Sequence, residues 1–366
     1  MGIAVAAVGL QSSQGDLAQT IAALLDEPAA PTALNLHGRR VLAHRLPGGE
    51  GSTPLPLWPR LQGLLEQVLA EAGLDGARRA ETALFVGTSS HEVGEYEQQL
   101  SQELADSPHA CALAGRRQGQ LARRIAEHFG LGGGEYTLST ACTSSANALL
   151  LAAEAIAAGD CRAALVIGEE GINQTTLLGF DSMLLLSDEV ARPFDRRRNG
   201  MVPGEGLAAM VLLDAALLPQ GSPWSGISWL GGASACDPEG ITCASAEAMA
   251  QVMAMALATA ERQPAEVSLL KAHGSASQAN DAAEAEAMRA LFMDQPPPLV
   301  ALKGALGHSF GASGLLEMAA LLGCLRSGWA PASHGFGEPD PALGCQPLAH
   351  APQSGPCRTR VPLLQP

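Results

Sequence analysis

Aromatic residues make up only 4% of this 366-residue sequence, and charged residues only 16%. The charges are also unbalanced, with 22 Lys and Arg against 37 Asp and Glu and a formal net charge of −15. A chain so short of basic side chains lacks the positive footprint that nucleic acids require, so no nucleic-acid partner is expected. Cysteine occurs eight times, but scattered from Cys111 to Cys357 with no C-x-x-C pair. That argues against a disulfide framework or a structural zinc site, and no metal is expected. No apolar run reaches the roughly 18 residues of a membrane span. The start, Met1 to Leu10, has neither a basic leader nor a cleavage site. These absences together predict a cytoplasmic protein in a reducing compartment.

What remains is a chain rich in alanine and glycine, 47% hydrophobic, and long enough for two domains or one large fold of two similar halves. Apolar periodicity predicts strands at Gly2–Gly9, Thr82–Gly87, Ala163–Gly168 and Leu207–Leu213. It predicts helices over Asp16–Leu25, Leu57–Ala72 and Gly115–Phe129. The Pro- and Gly-rich stretch Pro28–Pro56 reads as surface loop around a short ordered piece, Arg40–Leu46.

Three turns carry chemistry. The strand Tyr136–Ala141 runs directly into Cys142, and a helix over Ser144–Ala158 follows. Unpaired N–H groups and the dipole at a helix start favour a thiolate, so a lowered Cys142 pKa is expected. The second half repeats this grammar. Ser245–Arg262 reads as a helix, and a strand over Val267–Ala272 ends at His273. Gly274, Ser275, Ser277, Asn280, Asp281 and Glu284 come next. The two serine hydroxyls are spaced to line a channel. A further strand, Leu299–Lys303, enters a glycine-dense turn with His308, and a helix runs from about Ala312 to Leu325. Lys303 precedes those glycines, so the order of a phosphate-binding loop is not met. One thiol and two imidazoles suit acyl transfer with stabilisation of a developing oxyanion.

These residues resemble a known family. Thr140-Ala-Cys-Thr-Ser-Ser145 resembles the nucleophile motif of β-ketoacyl–carrier-protein synthases. Lys271-Ala-His-Gly-Ser-Ala-Ser277 with Asp281 resembles the first histidine motif, with serines for threonines and Ala276 where glycine is usual. Lys303 with Gly307-His308 and Glu317 resembles the second. Pro193-Phe194-Asp195-Arg196 through Gly204-Glu205-Gly206 resembles the segment between the halves.

The resemblance implies an α/β, thiolase-like, five-layer αβαβα fold made of two duplicated halves. These would be residues 1–215, carrying the nucleophile, and 216–366, carrying the lysine and both histidines. It implies decarboxylative Claisen condensation in fatty-acid or polyketide-type synthesis. Cys142 would hold the acyl group, with His273, His308 and Lys303 as the other catalytic residues. Ser275 and Ser277 would contact substrate, and Asp281 and Glu317 would support the site. No cofactor is implied, since the 4′-phosphopantetheine arrives as substrate on an acyl carrier protein. That carrier is the expected partner, docking on Arg116, Arg117, Arg123 and Arg124 or on Arg192, Arg196, Arg197 and Arg198. A homodimer, or a heterodimer with another ketosynthase, is expected.

The family's late glycine loop and final core strand have no match. Gly335-Phe336-Gly337 reads as an earlier loop, and the prolines at 352, 356 and 362 argue against a central strand. The alternative is therefore a weak or inactive subunit of the chain-length-factor kind. Gly87–Tyr96 and Asn173–Leu186 are candidate pocket linings.

Overall fold

A computed structural model describes residues 2–91, 93–106, 118–236, 244–293, 296–349 and 362–364. Strand β1 (Ile3–Ser12) starts a mixed sheet with β2 (Ala83–Gly87), β3 (Glu135–Leu138), β4 (Ala163–Glu170) and β5 (Gly206–Asp214). The order is β1-β5-β4-β2-β3, with Gly15–Asp16 and Ser228–Trp229 added beside β1. β5 runs antiparallel to β1 and β4, whereas β2 is parallel to β3 and β4. Apart from the edge strand β3, these strands read as continuous apolar runs because both faces are covered. A register shift between Val5 and Ala7 puts Ala6 and Ala7 on one face, while Val5, Val8 and Leu10 share the other.

The outer face packs against α1 (Trp58–Glu71) and α2 (Gln118–Phe129) through Leu61, Leu65, Val68, Leu121 and Ile125. The inner face packs against α3 (Ser144–Ala158). Beyond it, α4 (Ala246–Thr259) and α5 (Gln278–Phe292) cover a second, parallel sheet. Its strands are β6 (Leu269–Lys271), β7 (Leu299–Val300) and β8 (Pro362–Leu364), in the order β7-β6-β8. Helix α6 (Ser313–Arg326) lies beside α3. Leu269 and Val300 face the α3–α6 layer, whereas Leu270 and Leu299 face α4 and α5. Five layers result, helix–sheet–helix–sheet–helix, as expected. Each fully buried Leu or Ile in them contributes about 1.5–3 kcal/mol.

Several expectations are corrected. Pro28–Pro56 contains a hairpin, Thr32–Leu36 with Arg39–Ala43, whose alternating Leu34, Leu36, Val41 and Ala43 are buried. Val93–Asp106 is a helix that its mixed polar sequence does not announce. The strand expected through Lys303 stops at Val300, and Lys303–Leu306 is a helical turn. The chain does return as a strand near its end. Pro362 is the first residue of β8, a position at which a strand tolerates proline, and among the described residues β8 is an outer strand. Residues 350–361, including the Ser354–Arg360 stretch, lie outside the described residues. Ala141–Ala158 is long and apolar enough by composition to cross a membrane, against the expectation of no such run. Its apolar residues pack on the first sheet and against α6.

Candidate active site

The repeat legible in the sequence becomes a pair of matching turns. On one side Ala141 takes φ +54°, Ala141–Thr143 forms a 3₁₀ turn, and α3 follows. On the other Phe310 takes φ +38°, Phe310–Ala312 forms a 3₁₀ turn, and α6 follows. Cys142 and Gly311 hold equivalent positions. The turns pack on each other. Side chains larger than hydrogen are barred where they meet: a Cβ on Gly87 would lie 2.3 Å from the Ser145 backbone, and one on Gly314 2.9 Å from the Ala146 Cβ. Such positive φ values at non-glycine residues are uncommon and are held by surrounding structure. Ser144 Oγ accepts from the Thr140 N–H at 2.9 Å and donates to the Ala141 carbonyl at 2.7 Å, pinning the cysteine turn.

The two histidines meet with ring centroids 5.2 Å apart and planes at 80°. The Phe310 N–H donates to His308 Nδ1 at 3.2 Å, so in the neutral ring the proton sits on Nε2. Ser313 Oγ lies 2.9 Å from the same Nδ1. The His273 backbone is clamped from two sides. Its N–H donates to Glu284 Oε1 at 2.6 Å, and its carbonyl accepts from Lys303 Nζ at 2.7 Å. Burial holds both imidazoles well below the usual histidine range, and Lys303 and Lys271 push them further down. Both are therefore neutral at pH 7.

Behind them lies a buried ion cluster. Lys303 Nζ is 2.5 Å from Glu317 Oε1, and Lys271 Nζ is 2.8 Å from Glu317 Oε2. Asp281 accepts from the Phe194 N–H at 2.7 Å and the Ala276 N–H at 3.1 Å. It thus ties the segment between the halves to the His273 turn, and burial raises its pKa to about 7. Ser277 Oγ caps α5 by accepting from the Asn280 N–H at 3.2 Å, and Ser275 Oγ bonds to it at 3.1 Å.

The cysteine's acidity departs from expectation. Burial pushes the Cys142 thiol up to about 11; Lys303 opposes the rise, while Glu170 and Glu317 add to it. Desolvation of the charged form outweighs the helix start, so the resting group is a thiol.

Glu170, unnoticed in the sequence, accepts from Ser89 N–H and Oγ at 2.9 and 2.6 Å, Ser90 N–H at 3.0 Å, Ser90 Oγ, and the Gly311 N–H at 2.9 Å. It links the segment after β2 to the Gly311 turn, and burial raises its pKa to about 7. The signal for it was a Glu-Glu pair ending an otherwise apolar strand. Of the candidate linings, Gly87–Tyr96 reaches the site through Ser89 and Ser90. Asn173–Leu186 reaches it through Phe180, which stacks on Phe310 at 5.2 Å.

The second arginine cluster is largely spent on internal pairs. Arg198 meets Asp340 at 2.6 Å, Arg196 meets Glu338 at 3.2 Å, and Arg192 meets Glu189 at 3.4 Å. Arg197 contacts both Asp195 and Glu338. In the first cluster Arg123 pairs with Glu127, Arg124 lies over the Trp58 ring, and Arg116 and Arg117 fall outside the described residues. Gly335–Gly337 is a loop, as expected, and the Gly337 N–H donates to Asp195.

Two profiles of one family match in sequence: the β-ketoacyl synthase N-terminal domain over residues 63–216 and its C-terminal domain over residues 230–337. The chain belongs to the β-ketoacyl synthase family. The solved ishigamide ketosynthase/chain length factor superposes with a TM-score of 0.84 at 26% identity, covering 96% of this chain and 92% of that one. The shared fold is the thiolase-like one. The 3-methylorcinaldehyde synthase of Sarocladium schorii is 29% identical over 273 residues, 70% of this chain but only 10% of its own length. The putative polyketide beta-ketoacyl synthase 1 of Streptomyces halstedii is 33% identical over 235 residues, 60% of this chain and 55% of that one. The chain thus spans about a tenth of the former relative and about half of the latter.

Proposed function

We propose that the chain is a condensing enzyme of polyketide-type synthesis that joins a malonyl unit to an acyl group carried on Cys142. The observation that carries this reading is the meeting of the Cys142 turn with the Gly311 turn, beside two neutral imidazoles. In the first half-reaction the Cys142 sulfur attacks the thioester of an acyl carrier protein. The carrier's thiolate leaves and takes up the proton that the cysteine thiol gives up, so the transfer is neutral overall. In the second, malonyl–carrier protein loses carbon dioxide, and the electron pair of the broken C–C bond becomes a thioester enolate. His308 Nε2–H donates to the enolate oxygen, with His273 beside it. The enolate carbon attacks the acyl carbonyl, and the Cys142 thiolate leaves and takes a proton from solvent. Ser277, whose acceptor capacity is used in capping α5, keeps a hydroxyl proton to offer the pantetheine arm. The reaction calls for no resident cofactor.

Intact-mass spectrometry after incubation with acyl–carrier protein tests this reading. Wild type gains the acyl mass and Cys142→Ala does not. Added malonyl–carrier protein then discharges the acyl group as a β-ketoacyl product. A folded wild type that takes no acyl group of any length removes the proposal.

A second reading, a subunit that shapes a partner's pocket, draws support from the likeness to a ketosynthase/chain length factor structure. Co-purification separates the two: an obligate mixed dimer favours the subunit, and a homodimer that condenses alone favours the enzyme.

A further inference from the structure

Lys271 has no role in the reaction described above, yet its position is unusual. Its side chain is buried at the end of β6, two residues before His273. It shares one carboxylate with Lys303: Glu317 offers Oε2 to Lys271 at 2.8 Å and Oε1 to Lys303 at 2.5 Å, and all three side chains are at most 1% exposed. Burying a second ammonium against a carboxylate already paired is costly: burial lowers the Lys271 pKa, Glu317 opposes the fall, and a buried pair alone is weak support for stability.

The groups facing the imidazoles come from every side of the cleft. Lys271 lies on β6, Lys303 on the turn after β7, Glu284 on α5 and Glu317 on α6, with Cys142 and Glu170 on the other half. Of these, Glu317 is divided between two cations. Glu284 has its oxygens on the His273 and Gly274 N–H groups at 2.6 and 2.9 Å.

We propose that Lys271 is a positioning residue for the condensation: by sharing Glu317 it holds Lys303 on the His273 carbonyl and places a second positive charge behind the two imidazoles. This inference rests on the condensing-enzyme reading. The chemistry it serves is the decarboxylation. A positive charge behind the histidines disfavours imidazolium, so the rings keep the N–H needed to donate to an enolate without becoming acids themselves. It also lowers the energy of negative charge developing on the thioester oxygen, in a medium where such interactions are screened far less than in water. Both effects matter more for the malonyl step than for acyl transfer to Cys142.

The test compares wild type with Lys271→Met, Lys271→Gln and Lys271→Arg. Histidine NMR titration reads the imidazoles directly, without turnover. Lys271→Met and Lys271→Gln raise the titration of the His273–His308 pair by about one pH unit. The acid limb of malonyl–carrier-protein decarboxylation moves up by the same amount. At pH 7, where the imidazoles stay neutral in every variant, decarboxylation falls about tenfold more than Cys142 acylation through the positive charge lost near the enolate, and Lys271→Arg restores most of both. Should Lys271→Met fail to fold, Lys271→Gln, which keeps a donor to Glu317, gives the same reading. Imidazole titration and a decarboxylation profile identical to wild type in a folded Gln variant overturn the proposal. If wild type neither takes acyl nor decarboxylates malonyl, the condensing-enzyme reading falls, while the NMR titration still judges the charge effect.

Discussion

Ala276 shows what one methyl does in this site. Its φ is +65° and it is fully buried among Leu42, Ala191 and Val202, with its carbonyl accepting the Gly200 N–H at 3.0 Å. A left-handed alanine costs about 1–2 kcal/mol, part of which glycine returns through its greater chain entropy. Ala276→Gly is therefore expected to raise unfolding free energy by up to about 1 kcal/mol, read by urea titration. A loss of stability would mean the methyl's packing outweighs its strain. Cys142, His273, Lys303 and His308 were legible as candidates because short motifs bring them to turns, and Glu317, inside α6, only through the resemblance. Glu170 and the Lys271–Glu317 contact were not, since each joins residues far apart in sequence. The acidity of Cys142 runs against the sequence expectation because a helix start is visible in sequence and desolvation is not.

At the scale of elements, the hairpin strand Arg39–Ala43 is locked to the rest by His44. Its N–H donates to the Pro203 carbonyl and its carbonyl accepts from the Glu205 N–H, both at 2.8 Å. The ring is buried, with Nδ1 3.3 Å from Ser13 Oγ, and burial lowers its pKa from 6.5 to about 4. The unfolded chain then binds a proton that the folded chain refuses between pH 6.5 and 4. The associated stability is complete above pH 6.5 and is lost as pH falls, by about 3 kcal/mol. Asp281 and Glu170, raised to about 7, act oppositely: they favour the fold at low pH and lose that contribution as pH rises toward 7. The difference between wild type and His44→Phe isolates the histidine. It should shrink in wild type's disfavour as pH drops from 6.5 to 4, and a pH-independent difference would refute the assignment. Of the hairpin, only the second strand shows in the sequence, as the ordered piece Arg40–Leu46; Pro and Gly on either side mask the five-residue first strand. Helices α3 and α6 were legible because their apolar runs are long.

For the whole molecule, the first sheet ends at β3, whose Tyr136 is half exposed and stacks on Phe85 at 4.9 Å. An edge strand with an exposed aromatic is a template for pairing with another chain. A dimer through this edge should weigh about 75 kDa, twice 37.5 kDa, by light scattering, and Tyr136→Lys should shift it toward monomer. A dimer unchanged by Tyr136→Lys would place the contact elsewhere. The five-layer order was legible only through resemblance, because alternating strands and helices alone do not say which faces are shared. The second sheet's strands run two or three residues, too short for periodicity to register.

Strand β8 sets Leu364 beside Lys271 and Leu363 beside Leu270. The stretch at 362–364 is therefore a backing plate for the strand that presents the histidine turn. For anyone engineering the protein, a cut before 362, or a rigid fusion joined there, is an active-site mutation made from behind. If the condensing activity proposed above holds, such a variant is expected to lose malonyl–carrier-protein decarboxylation although no residue in the cleft has been changed.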